Sequence, residues 1–303
     1  MSTTSKSPKR ILQVAHQLGK QRLRTYSHRF STKKFTLPQL FACLVLKEFM
    51  RLDYRKLSAL LDDAPALAAT IGLKKVPHFS TFQKAAARLL ISRRVQRLLD
   101  ETVKVATEHR VMRKKVTLAA IDGTGFESHH ISAHFVRRRK QTGKTTGRTA
   151  TYTRFPTANL LCDCQSHLVL GVAAGRGPGP DDPYFRPTLK QAASRAKLGT
   201  LLADAGYDSE AAHVYAREQC DARTIIPPKR GRPTKKRLRG YWRHLMKTRF
   251  NKAKYGQRWQ VETVNSMIKR SMGSALRARN YWSQTREINL RVLTHNVMIL
   301  KPM

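Results

Sequence analysis

Three carboxylates draw attention because the background is so basic: 59 Lys and Arg face 19 Asp and Glu, a formal charge of +40. Asp122 ends the apolar run of "VTLAAIDGTG", and Asp204 ends that of "LGTLLADAGYDS". Glu262 lies in "YGQRWQVETVNSMIKRSMG", a stretch with helical apolar spacing. Hard divalent cations such as Mg²⁺ choose oxygen ligands, so a few carboxylates plus waters and phosphate oxygens suffice for each ion. Phosphodiester transfer needs a neutralised scissile phosphate, a deprotonated nucleophile and a stabilised leaving oxygen, and two divalent ions about 4 Å apart supply all three. The chemistry open to these acids is therefore two-metal phosphoryl transfer, with Asp122 bridging two Mg²⁺ ions (Mn²⁺ substituting) and Asp204 and Glu262 each completing one.

Each acid alone also has a plainer explanation. An aspartate after a strand caps a loop. Arg258 and Glu262 make an i,i+4 ion pair worth roughly a few tenths of a kcal/mol. Their convergence depends on the elements that must position them. Wound at roughly 100° per residue, Val261, Val264, Ile268 and Met272 form a buried stripe, and Tyr255, Arg258, Glu262, Asn265 and Lys269 form a polar one beside it. Asp122 and Asp204 each follow an apolar run that reads as a buried strand. Open α/β sheets place their sites at such strand ends.

Between these points "FPTANLLCDCQ" and "HLVLGVAAGRG" read as a hairpin turning near Gln165 and Ser166. "DDPYFRPTLKQAASRAK" reads as a helix entered through Asp182, "SEAAHVYAREQC" as a helix, "ARTIIPP" as a short strand, and "SQTREINLRVLTHNVMIL" as a last helix entered through Ser283. The order strand, strand, strand, helix, strand, helix, strand, helix predicts an α/β domain with a ribonuclease H-like mixed sheet and flanking helices over residues 114–303. Residues 1–113 read as a basic, all-helical region from Leu37 to about Arg110, with Ser80 as one N-cap and a helix-turn-helix reader or a plain bundle as its two uses.

A chain of 303 residues with 41% apolar content can bury a core. Its charge predicts a polyanionic partner, double-stranded DNA first, because each Lys or Arg on a phosphate releases counterions. No apolar run near 18 residues and no secretory signal at "MSTTSKSPKR" are seen, so no membrane association is expected. Four cysteines are too few for a disulfide scaffold, and Cys162, Cys164 and His167 have the wrong spacing for zinc. Basic clusters that could meet DNA are Arg137, Arg138, Arg139 and Lys140, and a short insert at about 229–253 in which Arg230 and Arg232 flank a glycine. Arginines so placed can enter a narrow minor groove, or the insert is a solvated linker. Trp242 and Trp259 are candidates for stacking on unpaired bases.

With those residues set out, the chain resembles the DDE-class transposases of bacterial insertion sequences. Their C-terminal signature is Y-x2-R-x3-E-x6-K, and Tyr255, Arg258, Glu262 and Lys269 match every position. The resemblance takes in "IDGT" at Asp122 and "DAGYDS" at Asp204, and so spans residues 115–300 or thereabouts. It implies a Mg²⁺-dependent enzyme that cuts DNA at the ends of its element and joins the 3′-OH to target DNA, acting as a homodimer in the cytoplasm at the nucleoid. Asp122, Asp204 and Glu262 would be its metal ligands, Arg258 and Lys269 would face DNA near the cut, and Tyr255 would touch a phosphate or base. Only 57 residues separate Asp204 from Glu262, so any insertion is small and a separate strand-rich insertion domain, as in some relatives, is not expected. Rival functions are a ribonuclease H-like nuclease or resolvase, a non-catalytic domesticated DNA-binding protein, and an RNA-binding protein.

Overall fold

A computed structural model of the chain describes residues 4–128, 155–229 and 239–300. Six helices come first: α1 (Pro8–Arg22), α2 (Leu37–Phe49), α3 (Tyr54–Asp63), α4 (Pro65–Thr70), α5 (Phe79–Leu89) and α6 (Ser92–Glu108). Helix α1 lies upstream of where apolar spacing suggested helices begin. Its Ile11, Leu12, Val14, Ala15 and Leu18 are buried, yet they sit among so many polar residues that only packing shows their face. Helix α2 carries "LFACLVL" into the centre of the molecule and starts with a capping box between Thr36 and Gln39. At α5 the cap is His78, whose side chain accepts from the Ser80 N–H; Ser80 lies inside the first turn, its Oγ 2.8 Å from the His78 ring nitrogen.

The remaining elements are β1 (Lys115–Gly125), β2 (Glu127–Ser128), β3 (Phe155–Asp163), β4 (Val169–Gly177), α7 (Asp182–Arg195), β5 (Lys197–Leu202), α8 (Glu210–Val214), β6 (Arg223–Ile225), α9 (Tyr241–Thr248), α10 (Lys252–Tyr255), α11 (Trp259–Met272), β7 (Ala275–Leu276) and α12 (Tyr281–Ile299). Five strands form one mixed sheet in the order β4-β3-β1-β5-β6. Strand β3 is antiparallel to β1 and β4, whereas β1, β5 and β6 run parallel. Strands β2 and β7 make a separate parallel pair.

Successive residues of a strand face opposite sides of a sheet, and here the two sides carry different helices. A Cβ on Gly171 would strike the Thr188 carbonyl of α7, so α7 lies against backbone on that face. On the other face α12 ties the sheet to the N-terminal helices. Its Asn296 accepts from Val169 N–H and donates to Val169 O, each at 2.9 Å, and donates to Thr102 Oγ1 of α6 at 3.0 Å. Burial pushes the pKa of His295 down to about 4, which keeps the ring neutral at pH 7 and bonded to the His167 carbonyl at 2.9 Å. The α12 N-cap is Asn280 rather than Ser283, with Asn280 Oδ1 accepting from Ser283 N–H at 2.9 Å. Among the described residues no helix is long and apolar enough to cross a membrane.

Candidate active site

The parallel pairing of β1 with β5 ends at Ala120 opposite Leu202. Two residues further along stand Asp122, still within β1, and Asp204, just past the end of β5, so the sheet register brings the two aspartates close enough for Asp204 to raise the Asp122 pKa. Strand β1 does not stop at Asp122 as its glycines suggested. It continues to Gly125, because β3 goes on bonding to it after β5 has turned away, with Asp122 opposite Leu160. Asp204 combines its position with the plainer capping role: its Oδ1 accepts from Gly206 N–H at 2.8 Å and closes a turn over Ala205–Tyr207. A Cβ on Gly206 would lie 2.8 Å from that same oxygen, which is why glycine suits this turn.

The helix α11 brings the third acid. Val261, Val264, Ile268 and Met272 are buried as their spacing predicted, with Asn265 between the stripes also buried. The segment before it is not one continuous helix. Tyr255 ends α10, and Gly256–Arg258 form a tight 3-10 turn. Glu262 is half exposed and takes a hydrogen bond from Arg258 Nη2. The surface pair is therefore present, and it reaches further than a surface pair: Arg258 Nη1 stands 3.7 Å from Asp122 Oδ1. One guanidinium lies between two of the three acids.

Asp122 is held from its other oxygen by Asn265, whose Nδ2 donates to Oδ2 at 3.1 Å, while Asn265 Oδ1 is buried without a partner. Sequence reasoning placed Asn265 on the polar stripe but gave it no task; its spacing of three from Glu262 was the available signal. Burial pushes the pKa of Asp122 up to about 6; Arg258 opposes this, and Asp204 and Glu262 add to it. A fourth acid was missed. Asp181, not Asp182, occupies the N-cap position of α7 and makes no side-chain cap bond. Its Oδ1 would lie 2.7 Å from a Cβ on Gly123, and burial with the neighbouring Asp204 raises its pKa.

Hard oxygen donors whose mutual repulsion is met by one guanidinium are a donor set that fits Mg²⁺ chemically. With Glu262 engaged by Arg258, no group of three acidic, imidazole or thiol side chains stands ready to hold one ion among the described residues. Cys162 and Cys164 are buried, and burial raises both thiol pKa values, Cys164 to about 12, so they remain protonated.

The other signature residues sit nearby. Tyr255 is half-buried with its ring 5.0 Å from that of Phe250. Lys269 is half-buried rather than fully exposed, its ammonium 5.6 Å from the Phe126 ring centre, with the Arg291 guanidinium 5.5 Å from the same ring. Trp259 is 52% exposed, whereas Trp242 lies under Arg217 at 4.1 Å. Arg137, Arg138, Arg139, Lys140, Arg230 and Arg232 lie outside the described residues. The flanks of the insert are anchored: Asp208 accepts from Lys229 N–H at 2.8 Å and from Arg243 Nη2 at 2.7 Å, and Glu210 caps α9 through the Trp242 and Arg243 N–H groups, both at 3.1 Å. Gly240, with φ +103°, leaves the room that the Glu210 carboxylate fills.

No curated protein matches the chain. A family model described as a transposase DDE domain matches residues 114–297, which takes in the whole sheet, all three acids and the signature helix. The chain belongs to the transposase DDE domain family.

Proposed function

We propose that the protein is a DNA transposase that cleaves the ends of its mobile element and joins the 3′-OH to target DNA, using Asp122, Asp204 and Glu262 as ligands for two Mg²⁺ ions. The observation that carries this reading is the register of β1 on β5, which sets Asp122 beside Asp204 while α11 brings Glu262 to them through Arg258. The strand order β4-β3-β1-β5-β6 with helices on both faces supports a ribonuclease H-like catalytic domain over residues 114–303, behind a basic helical region at 1–113. The charge of +40 supports double-stranded DNA as partner. Two element ends must be cut and joined together, and a homodimer supplies one site for each.

Bound at these carboxylates, the ions would neutralise the scissile phosphate, activate the attacking hydroxyl and stabilise the leaving oxygen. The protein's own groups do the rest. Asn265 fixes Asp122 Oδ2 and so leaves Oδ1 turned towards Arg258. Arg258 shields the acids from one another; once their charge is met otherwise, its planar fork suits a DNA phosphate. Lys269 lies seven residues beyond Glu262, a rise of about 10 Å along the helix. Its ammonium would therefore meet a phosphate near the cut rather than the metal ions themselves.

Purified protein incubated with Mg²⁺ and a duplex containing the DNA that borders its gene should yield a free 3′-OH at a fixed position and then joined products. Cleavage without any joining would replace this reading with the nuclease alternative, and duplex binding without cleavage would replace it with the domesticated one. Within the same assay, Lys269→Ala should weaken end binding or slow cleavage about 10- to 100-fold, since hydrogen bonds to charged groups are worth about 1.5–3 kcal/mol. Stability should change little, because the Phe126 contact is worth only about 0.5–1 kcal/mol. Arg270→Ala, whose side chain bonds to Ser266 on its own helix, is the control. Equal, small effects of the two would make the polar stripe a solvated face.

A further inference from the structure

We infer that the N-terminal helices hold a dedicated binding cleft for the phosphate backbone of duplex DNA, built by Arg22, Arg24, Arg93, Arg94 and Arg97 around Tyr26. The proposal rests on the reading of the chain as acting on DNA, and adds where the N-terminal region grips it. These side chains come from three places: the last turn of α1, the loop that follows, and the first two turns of α6. They line one cleft of about 300 Å³, and no acidic residue is among its lining groups.

Local stability argues against such a cluster. Anions favour the N-terminal end of a helix and cations oppose it, because the unpaired N–H groups there carry partial positive charge. Helix α6 nevertheless has no acid in its first turn and places Arg93 and Arg94 there. Its N-cap is Ile91, which offers no oxygen to those N–H groups and is 43% exposed beside the cleft. Ser, Thr, Asp or Asn is the usual choice at that position. Five guanidiniums, a positive helix end and a cap without a side-chain oxygen thus meet in one concavity, and of the five only Arg22 has a carboxylate partner among the described residues, Glu101. Two of the five have structural ties, Arg22 to Glu101 and Arg94 to the Arg88 carbonyl at 2.6 Å. Those two bonds fix the walls, while Arg24, Arg93 and Arg97 are exposed and have no hydrogen-bond or ion-pair partner among the described residues.

The occupant follows from charge and reach. A single small anion would need at most two or three donors, whereas arginines entering from three segments match successive phosphates of a backbone. The loop after α1 extends the same basic surface with exposed Lys33 and Lys34. None of these groups reads base sequence, so the cleft contributes affinity and register rather than specificity.

The test is the salt dependence of duplex binding by the full chain. Each phosphate contact contributes about 0.9 to the slope of log affinity against log salt. Arg24→Gln, Arg93→Gln and Arg97→Gln combined should therefore lower that slope by roughly two to three units and weaken binding about 10²- to 10³-fold at 0.1 M salt, with a melting temperature equal to or above that of the wild type. Lys115→Gln, Lys197→Gln and Arg223→Gln combined remove the same charge from the far end of the parallel strands and should leave the slope within about one unit. An unchanged slope in the first variant, or an equal fall in both, overturns the cleft. A loss confined to double-stranded RNA overturns its assignment to DNA. Failure of the wild-type chain to bind duplex DNA at all would instead remove the functional reading on which the cleft rests.

Discussion

On the proposed roles, Asp122→Asn, Asp204→Asn and Glu262→Gln should each lower Mg²⁺-dependent end cleavage by about a thousandfold or more, with duplex binding nearly unchanged. Each substitution removes a charged oxygen donor without adding bulk. A metal centre supplies several kcal/mol of charge stabilisation, and about 4 kcal/mol is a factor of a thousand in rate. The measurement is single-turnover cleavage of an end-containing duplex beside a binding isotherm. Wild-type cleavage in any one variant removes that residue from the site.

Asp122→Asn carries a second expected result of opposite sign. In the fold the Asp122 pKa is raised from 3.8 to about 6. The native state therefore holds this proton more tightly than the unfolded chain, so stability is fully present below about pH 4 and declines as pH rises to about 6. At pH 7 the carboxylate is ionised at a cost on the order of 1–3 kcal/mol. Without divalent ions, Asp122→Asn should melt higher than wild type at pH 7 and should show less fall in stability between pH 4 and pH 6. A lower melting point at pH 7 would mean that Arg258 already neutralises the site in full.

The largest stability effect is expected at Arg291. Its side chain is 2% exposed and bonds Glu48 Oε1 at 3.0 Å, Glu287 Oε1 at 2.8 Å, and the Gly273 and Ala275 carbonyls at 2.6 Å each. It joins α2, α12 and the approach to β7 at one point. Removing one partner of a buried pair costs about 3–5 kcal/mol, because the other charge stays buried and unpaired. Arg291→Met keeps the apolar stem, so the loss it shows in denaturant unfolding is that of the charge and its bonds. Arg291→Lys should recover little, since an ammonium cannot span the two carbonyls and two carboxylates as the fork does. Arg286→Met on the same helix should stay within about 0.5 kcal/mol. A small effect at Arg291 would mean that the network rearranges around Lys47, which already pairs with Glu48 at 2.9 Å.

Much of this molecule is determined by its sequence alone, and for identifiable reasons. The alternation of strand and helix, the buried stripe of α11 and the placing of Asp122 and Asp204 after apolar runs all depend on local period and on glycine punctuation, which act within a few residues. The same local rules misplaced the caps at Ser80, Asp182 and Ser283, where the choice between neighbouring oxygens is made by contacts of the fold. Helix α1 escaped notice because its apolar face is visible only against α2. Tertiary structure alone decided which residues share the site. The register of β1 on β5 sets the two aspartates together, the strand pleat turns Gly123 towards Asp181 and leaves Asp122 for Asn265, and the docking of α11 places Arg258 between Asp122 and Glu262. The contacts of Asp122 and Gly123 have no short-range signature, because they join residues from 58 (Gly123 to Asp181) to 143 (Asp122 to Asn265) positions apart, and only burial of the common core fixes their relative position.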